Sequence, residues 1–554
     1  MRWRPVMMTA AAVLGTACLT SAGAATGTVA TAAASAAAQG GTWGTAAEIP
    51  GSNRLNHGGQ ASIGTVSCAS STNCGAGGSY TSGFSSTAPI VQAFVVNKTA
   101  NIWRRAEEVP GTAALNTGGN AKINSVSCPA PGDCSAGGYY TDASSGHQQA
   151  LVVTETGGTW GNAEEVPGSA ALNAGGPGAV ILSVSCPAPG DCSAGGYYSD
   201  ASGHEQALVV TETGGTWGNA EEVPGSGALN AGGAARIDSV SCGAAGDCSA
   251  GGYYSDASGH EQALVVTETG GTWGNAEEVP GSGALNAGGA ARIDSVSCGA
   301  AGDCSAGGQY ASKTVDGIST VQAFVVNETG GTWGKATEVP GTAALNGGGY
   351  ATVNAVSCPS AGNCSAGGSY TTAAPVTQAF VIDETGGTWG KARVVPGSAA
   401  LNKHGLAQIN AVSCPSAGNC SAGGFYLDAS FDTQAFVVSE SGGTWGSAEE
   451  IPGSAALDRH APGAVADSVS CGAPGDCSAT GSYTDSAGAQ QAFVADQSAG
   501  TWGSAEEVPG TGALNGGGQA SAQSVSCAAS GLCNAVGQYQ NVNLNTQVFA
   551  VSQS

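Results

Sequence analysis

The stretch IDSVSCGAAGDCSAGGYYSDASGHEQALVVTETGGTWGNAEEVPG, residues 237–281, decides the fold, because its pattern recurs along the whole chain. The segment Gly190–Gly252 is repeated without a change at Gly246–Gly308, which indicates a recent duplication. One tryptophan marks each copy, at intervals of 56 to 60 residues: Trp43, Trp103, Trp160, Trp217, Trp273, Trp333, Trp389, Trp445 and Trp502. Such a period predicts an array of similar structural units.

Each copy contains four short strand patterns separated by turn residues. In one copy, strand A is Ile237 to Cys242, strand B is Cys248 to Tyr254, and strand C is Gln262 to Val266. Strand D begins at the tryptophan and ends before Pro-Gly. No apolar period of 3.6 residues is long enough for a helix. A four-stranded repeat of this size is typical of a β-propeller blade.

The two ends of the chain predict that the propeller closes into a ring. The repeats begin at Trp43 with a strand D alone and end at Gln547-Val-Phe-Ala-Val with a strand C that lacks a strand D. The first strand can complete the last blade and remove the exposed sheet edges, whereas an open array would need capping repeats. We therefore predict an all-β protein in which residues 39–554 form one closed propeller of nine repeats of about 57 residues.

The N-terminus predicts export. Arg2 and Arg4 precede the apolar segment Val6–Leu19, and small-residue stretches suited to signal peptidase follow, so we interpret residues 1–38 as a signal peptide and leader. The apolar segment is too short for a membrane span. Cys18 leaves open a second interpretation, a lipid-modified cysteine.

Composition and charge exclude two classes of partner. Glycine accounts for 92 of 554 residues, and 15 Lys and Arg against 40 Asp and Glu give a net charge of −25. Nucleic-acid binding requires clustered cations, and docking on anionic lipid requires them too. We expect an extracellular ligand, either a glycan or a protein, and a monomeric protein.

The cysteines predict local disulfides. Apart from Cys18 they form nine C-x5-C pairs: Cys68 with Cys74, Cys128 with Cys134, Cys186 with Cys192, Cys242 with Cys248, Cys298 with Cys304, Cys358 with Cys364, Cys414 with Cys420, Cys471 with Cys477, and Cys527 with Cys533. Each pair flanks turn residues between strands A and B, where paired Cα atoms come within disulfide range. An exported chain meets an oxidising environment. Zinc would need a different cysteine spacing.

The segment before most tryptophans resembles the Asp-box (BNR) turn of sialidase-like propellers, Ser-x-Asp-x-Gly-x-Thr-Trp. Glu155–Trp160, Glu328–Trp333 and Glu384–Trp389 all read Glu-Thr-Gly-Gly-Thr-Trp, with Glu in place of Asp. The first internal copy, Lys98–Trp103, keeps little except the tryptophan. In that family the turn is structural, so the resemblance implies the fold and no activity.

The catalytic residues of sialidases do not carry over on this resemblance. Those enzymes hold a substrate carboxylate with three arginines and use a tyrosine–glutamate pair and a further acidic residue. Arg236 and Arg292 occupy equivalent positions of the duplicated unit, which indicates surface decoration rather than a unique active site. Glu164-Glu165 and similar pairs recur in several units and indicate an exposed acidic face.

In a propeller the D–A and B–C loops share one face, called here the loop face, and the A–B and C–D loops share the other, the turn face. A Leu-Asn pair recurs in the D–A loops, and a ring of its amides could bind a polar ligand such as a glycan. The alternative is that each asparagine caps its own turn. The asparagines are Asn56, Asn116, Asn173, Asn230, Asn286, Asn346, Asn402 and Asn515, and Asp458 takes the ninth position.

Two successive D–A loops break the symmetry. Asn402-Lys403-His404 and Asp458-Arg459-His460 would place cations on neighbouring blades of an acidic protein, where they could receive a carboxylate or phosphate. The alternative is surface variation without function. Another three histidines recur in equivalent B–C loops, too far apart to share one metal ion: His147, His204 and His260.

Two functions remain in competition. Near-identical units favour a non-catalytic binding or surface-scaffold protein that gains avidity from many weak sites, including carbohydrate sites on the loop face. The alternative is a glycoside hydrolase or lyase of sialidase-like type acting on extracellular polysaccharide, although no catalytic motif supports it. Calcium-dependent binding through the acidic loops is a third hypothesis. No cofactor or metal is predicted.

Overall fold

The computed structural model describes residues 41–86, 88–174, 176, 178–315, 318–458 and 463–554; the predicted leader and Cys18 lie outside them. The described chain forms nine antiparallel sheets arranged as a β-propeller, as predicted. Strands A, B, C and D are neighbours in that order in every sheet. Strand A of each blade contacts strand A of the next, so it is the innermost strand.

The three long strands of each blade extend beyond the predicted segments at both ends. Strands A are Ala61–Ser70, Lys122–Ala130, Ala179–Ala188, Ala235–Ala244, Arg292–Ala300, Ala351–Ser360, Ala407–Ser416, Val465–Ala473 and Ala520–Ala529. Strands B are Asn73–Phe84, Asp133–Thr141, Asp191–Ser199, Asp247–Ser255, Asp303–Val315, Asn363–Thr371, Asn419–Leu427, Asp476–Thr484 and Leu532–Gln540. Strands C are Pro89–Thr99, Gln148–Thr156, Glu205–Thr213, Glu261–Thr269, Ile318–Thr329, Thr377–Thr385, Thr433–Ser441, Gln490–Ser498 and Thr546–Ser552.

Strand D differs from the prediction, because it is divided into two segments of two residues each. In blade four these are Thr272–Trp273 and Glu277–Glu278. The backbone N–H of Ala276, between them, donates to the carbonyl of Pro224 in the preceding blade at 2.6 Å. Strand D is interrupted at Ala276 because the N–H of this residue bonds to the preceding blade and not to strand C of its own sheet.

The remaining outer segments follow the same division. The first segments are Ile102–Trp103, Thr159–Trp160, Thr216–Trp217, Thr332–Trp333, Thr388–Trp389, Thr444–Trp445 and Thr501–Trp502. The second segments are Glu107–Glu108, Glu164–Glu165, Glu221–Glu222, Thr337–Glu338, Arg393–Val394, Glu449–Glu450 and Glu506–Glu507.

Each D–A loop contains one helical turn of four residues, too short to produce the apolar period of a longer helix. The helices are Ser52–Leu55, Thr112–Leu115, Ser169–Leu172, Ser226–Leu229, Ser282–Leu285, Thr342–Leu345, Ser398–Leu401, Ser454–Leu457 and Thr511–Leu514. Among the described residues no helix has the length and apolar character needed to cross a membrane.

The ring closes as predicted. The N-terminal segment Ala47–Glu48 pairs antiparallel with Thr546–Ser552 and supplies strand D of blade nine. Trp43 bridges to Gln553 alongside it.

Adjacent blades are joined by buried apolar side chains and by a ring of hydrogen bonds around the axis. The cluster between blades two and three contains Val152, Ile181 and Trp217, all buried. The Gly-Gly of strand B permits this packing, because a Cβ on Gly195 would lie 2.5 Å from Cγ2 of Ile237. In the Ser-Val-Ser-Cys motif, the cysteine N–H donates to the second serine of the preceding blade at 3.0–3.1 Å at all nine interfaces.

The predicted disulfides are confirmed, and each joins the two strands of its own A–B hairpin. The bonded pairs are Cys68 with Cys74, Cys128 with Cys134, Cys186 with Cys192, Cys242 with Cys248, Cys298 with Cys304, Cys358 with Cys364, Cys414 with Cys420, Cys471 with Cys477, and Cys527 with Cys533. The second cysteine of every pair, on strand B, is buried, so these residues hold the fold and are not exposed to a ligand: Cys74, Cys134, Cys192, Cys248, Cys304, Cys364, Cys420, Cys477 and Cys533.

The C–D turn contacts the A–B turn on the same face, as where Gly158 N–H donates to the Gly132 carbonyl at 2.8 Å. The turn face is therefore cross-linked both by disulfides and by backbone hydrogen bonds. The variable segments lie on the opposite side, the loop face.

Candidate functional site

The predicted asparagine ring lies inside the loop face rather than on it, since the eight side chains are only 2–5% exposed. Asn230 donates through Nδ2 to the Glu205 carbonyl and to Oε1 of Gln206 in the preceding blade, both at 2.8 Å. Its Oδ1 accepts from the N–H of Ala234 at 2.9 Å and of Ser255 at 3.3 Å. These bonds occupy the amide and fix the D–A loop against two blades.

The same arrangement explains the glutamine that recurs in strand C, because in six blades its Oε1 accepts from the asparagine. In blade eight the pair is changed: Gln434 donates through Nε2 to Oδ2 of Asp458 at 2.9 Å, and Thr484 N–H donates to the other oxygen at 3.3 Å. Burial raises the pKa of the Asp458 carboxyl to about 6. Its predicted neighbours Arg459 and His460 lie outside the described residues.

In blade seven, Lys403 and His404 are exposed, as predicted, and lie against the B–C hairpin of the same blade. The N–H of Lys403 donates to the Leu427 carbonyl at 3.0 Å, and Nε2 of His404 lies 2.9 Å from the Ala429 carbonyl. The His404 ring stacks on Phe431, with 3.4 Å between centroids and 19° between planes. The D–A loop and the hairpin thus form one unit around an aromatic pair.

Sequence reasoning missed a second group, on the innermost strands. Nε of Arg236 lies 2.9 Å from Oδ1 of Asp238, and Arg292 repeats the pair with Asp294 at 2.8 Å. The Arg236 guanidinium also lies 5.0 Å from the ring centroid of Tyr253. Burial raises the pKa of the Asp294 carboxyl to about 6 although Arg292 opposes the shift.

A sequence signal for this group was present. Arginine and aspartate stand two positions apart on a strand, which places both on one face of the sheet. By sequence alone, their repetition in a duplicated unit indicates decoration. The structure instead brings two ion pairs together on neighbouring inner strands, in blades four and five.

Most of the exposed large apolar side chains lie on the loop face, spread over blades one, five, six, seven and nine. Among the described residues, seven of the eight large apolar side chains that are exposed lie in the D–A or B–C loops or at the strand ends that border them, and only Ile102, at the start of a strand D, lies on the turn face. The seven are Phe84, Ile318, Tyr350, Leu406, Phe431, Val542 and Leu544.

The three recurring histidines do not converge. His204 and His260 each lie near an aspartate of their own hairpin, with Nδ1 3.9–4.0 Å from the carboxylate. Within the part of the chain that the structure describes, no group of three His, Cys, Asp or Glu side chains is arranged to hold a metal ion.

No protein-family model matches this sequence, and no curated protein matches it. Among solved structures, Chaetomium thermophilum Sqt1 bound to the N-terminus of ribosomal protein L10 aligns with 82% of this chain and 98% of its own, at 12% identity and a TM-score of 0.39. The GH74 xyloglucanase of Xanthomonas campestris aligns over 88% and 66%, at 12% identity and 0.30. The six-bladed Aleuria aurantia lectin aligns over 59% and 94%, at 11% identity and 0.26.

Proposed function

We propose that this chain is a secreted, monomeric, non-catalytic binding or surface-scaffold protein. We propose further that its loop face binds an extracellular ligand, with carbohydrate as the favoured ligand class. The observation that carries the proposal is the position of the exposed apolar side chains, seven of eight on the loop face among the described residues. Apolar side chains exposed on several blades of one face can act as separate contact points for a ligand that spans those blades.

The chemistry of the opposite face supports this choice. It holds the nine disulfides, which form and persist in oxidising compartments, in agreement with the proposed leader at residues 1–38. We further propose that its C–D turns are degenerate Asp-box turns. In Glu155–Trp160, Gly157 and Gly158 take φ values of 58° and 83° and Trp160 is buried, so the motif has a structural use.

The proposed binding residues divide into two kinds. Lys403 and His404 are exposed and can contact a ligand, and we assign the same part to Arg459 and His460 in the next blade. The recurring asparagines and Asp458 would act from beneath, by holding the D–A loops in place. Because similar loops recur around the ring, several weak contacts can add to a useful avidity.

The test is expression of the whole chain with its own N-terminus and collection of the protein from the medium. The secreted protein is applied to an array of glycans and cell-wall polysaccharides, and released reducing sugar is assayed in parallel. Binding without product supports the proposal, and product release contradicts it. Retention inside the cells contradicts the export, and loss of binding in a chelator would indicate calcium.

One observation favours the second candidate, a glycoside hydrolase or lyase. The carboxyls of Asp238 and Asp294 belong to adjacent inner strands, and burial raises the pKa of Asp294 to about 6. Glycosidases use a carboxyl pair in which one member has a raised pKa and acts as an acid. If reducing sugar is released, Asp294→Asn should abolish the release; unchanged release would exclude this pair as the catalytic groups.

A further inference from the structure

Phe431 lies at the tip of the B–C hairpin of blade seven, where its side chain is 68% exposed and its φ is 68°. At the equivalent position, blades three, four and eight have Gly203, Gly259 and Gly488, with φ of 80°, 77° and 79°. A left-handed backbone is unfavourable for a residue with a Cβ and is normally left to glycine. Blade seven therefore accepts both backbone strain and an exposed apolar ring at one position.

The hairpin itself gives no reason for phenylalanine. Phe431 N–H donates to the Asp428 carbonyl at 3.3 Å, the bond that Gly203 N–H makes to Asp200 at 2.9 Å. Oδ1 of Asp428 also accepts from Ser430 N–H at 2.7 Å, as Asp200 does from its own hairpin at 2.8 Å. The turn is built in the same way with glycine, so the side chain is not needed to form it.

The ring is nevertheless held in one orientation. His404 covers one of its faces at 3.4 Å and is itself fixed by the Ala429 carbonyl. The opposite face of the ring is open to solvent, in keeping with the 68% exposure of the residue. The border is polar, with the exposed Lys403 and Ser430 and the half-buried carboxylates of Asp428 and Asp432.

We propose that Phe431, backed by His404, is a stacking platform for one pyranose ring of a neutral polysaccharide, an inference that rests on the proposed function and names its ligand class. A pyranose has an apolar C–H face and a rim of hydroxyls, which match an aromatic ring with a polar border. A neutral sugar fits this surface best because the net charge of −25 repels polyanions. β-1,4-Linked polymers with equatorial substituents present the flattest C–H faces.

Leu544 supplies a matched control. It occupies the same hairpin position in blade nine, with φ of 62° and 62% exposure, and its N–H makes the same bond, to the Asn541 carbonyl at 2.9 Å. Leu544→Gly removes the same backbone strain and a similar apolar area without removing an aromatic ring. The two glycine variants therefore separate stacking from the general effect of altering a hairpin tip.

The experiment uses the whole secreted chain, wild type and as Phe431→Gly, Phe431→Tyr and Leu544→Gly. Each protein is run through native gels containing hydroxyethylcellulose, a β-1,4-glucan, or soluble starch, an α-1,4-glucan, and each is melted. We expect the wild type and Phe431→Tyr to be retarded by the β-1,4-glucan in preference to starch. Leu544→Gly should weaken that retardation less than Phe431→Gly does, because it removes an aliphatic loop-face contact and no stacking surface. Phe431→Gly should bind about tenfold more weakly or worse, because a contact to an aromatic side chain is lost.

The melting temperatures separate a ligand contact from a structural one. Both glycine variants should melt within about 2 °C of the wild type, since relief of strain offsets the lost contacts. A fall of several degrees in Phe431→Gly alone would make Phe431 structural and overturn the platform. So would β-1,4-glucan binding that Phe431→Gly leaves unchanged, or wild-type binding confined to an acidic polysaccharide or a protein. Absence of any ligand on the wider glycan array would instead overturn the proposed function, and the platform with it.

Discussion

Trp43 donates its indole N–H to Oδ2 of Asp496 at 2.8 Å, across 453 positions of the sequence. This bond belongs to a ring, because at each interface a tryptophan donates to a polar side chain on strand C of the preceding blade. At seven of the other eight interfaces the acceptor is neutral, as where Trp217 donates to Thr154 Oγ1 at 3.0 Å. At the eighth, Trp445 donates to Oδ1 of Asp383 at 2.7 Å. The N-terminal strand of blade nine is thus held to blade eight by the same kind of contact as at the other interfaces, with a carboxylate as acceptor.

Trp43→Phe should therefore destabilise the fold more than Trp217→Phe does. Both changes remove the same indole, but only the first takes a donor from a buried carboxylate, at a cost of about 2 kcal/mol against about 1 kcal/mol for a hydroxyl acceptor. The measurement is the midpoint of urea unfolding at pH 8, where Asp496 is ionised. Equal shifts for the two variants would contradict the larger contribution of the carboxylate acceptor.

Buried carboxyls between the blades predict that mild acid stabilises the protein. Burial raises the pKa of Glu155 to about 7, with added repulsion from Asp133 and Glu107, and burial raises that of Glu440 to about 7 as well. The folded state thus binds more protons than the unfolded state between about pH 4.5 and pH 7. The stabilisation that these two carboxyls contribute is fully present below their unfolded pKa and is lost as the pH rises through 7. Thermal unfolding should occur at a higher temperature at pH 5 than at pH 8.

Glu155→Gln tests the origin of that pH dependence. The chain already has Gln497 at the equivalent position, where Nε2 donates to Ser439 Oγ at 2.6 Å and Oε1 accepts from Ser421. The variant should gain stability at pH 8, on the order of 3 kcal/mol at most, and show a smaller difference between pH 5 and pH 8. An unchanged pH profile would show that this carboxyl does not control it.

The disulfides should stabilise single hairpins rather than the ring as a whole. Each joins cysteines six positions apart, and closing so short a loop contributes about 2 kcal/mol in the chain-entropy model. Cys242→Ala combined with Cys248→Ala should lower the unfolding free energy by about that amount and leave a folded propeller. The check is urea unfolding with thiol counting. Loss of the folded state in this variant would contradict a local role.

The periodic features of the fold could be predicted from the sequence because each depends on residues that recur. Trp43 with no preceding blade and Gln547 with no following strand D were enough to predict closure. The division of strand D was missed, because the Ala276 hydrogen bond goes to Pro224 of another blade and leaves no trace in local pattern. The role of Lys98 was likewise missed. It replaces the buried glutamate of the other blades at the interface between blades one and nine, and its Nζ donates to Oδ1 of Asn534 at 2.7 Å.

The sequence singles out exposed candidate residues only where the repeats differ. Lys403 and His404 stood out because their loop departs from Leu-Asn-x-Gly-Gly. Phe431 was missed although the sequence carries a signal, because it replaces the glycine of the Asp-Ala-Ser-Gly hairpin found in blades three and four. The repetition of Arg236 and Arg292 indicates decoration by sequence alone, yet duplication preserves a functional group as readily as it preserves decoration.

A comparison of Asn230→Ala with Lys403→Ala tests whether the recurring asparagines support the loops or contact the ligand. Asn230→Ala removes four hydrogen bonds that join the D–A loop to two blades and leaves their buried partners unsatisfied, so we expect a loss of about 2–4 kcal/mol in unfolding free energy. Lys403→Ala, at an exposed loop position, should change stability by less than about 0.5 kcal/mol. The measurements are urea unfolding and glycan binding on both variants. If Asn230→Ala lost binding at full stability, the amide would be a ligand contact; a loss of stability with binding retained at low temperature would establish the supporting role.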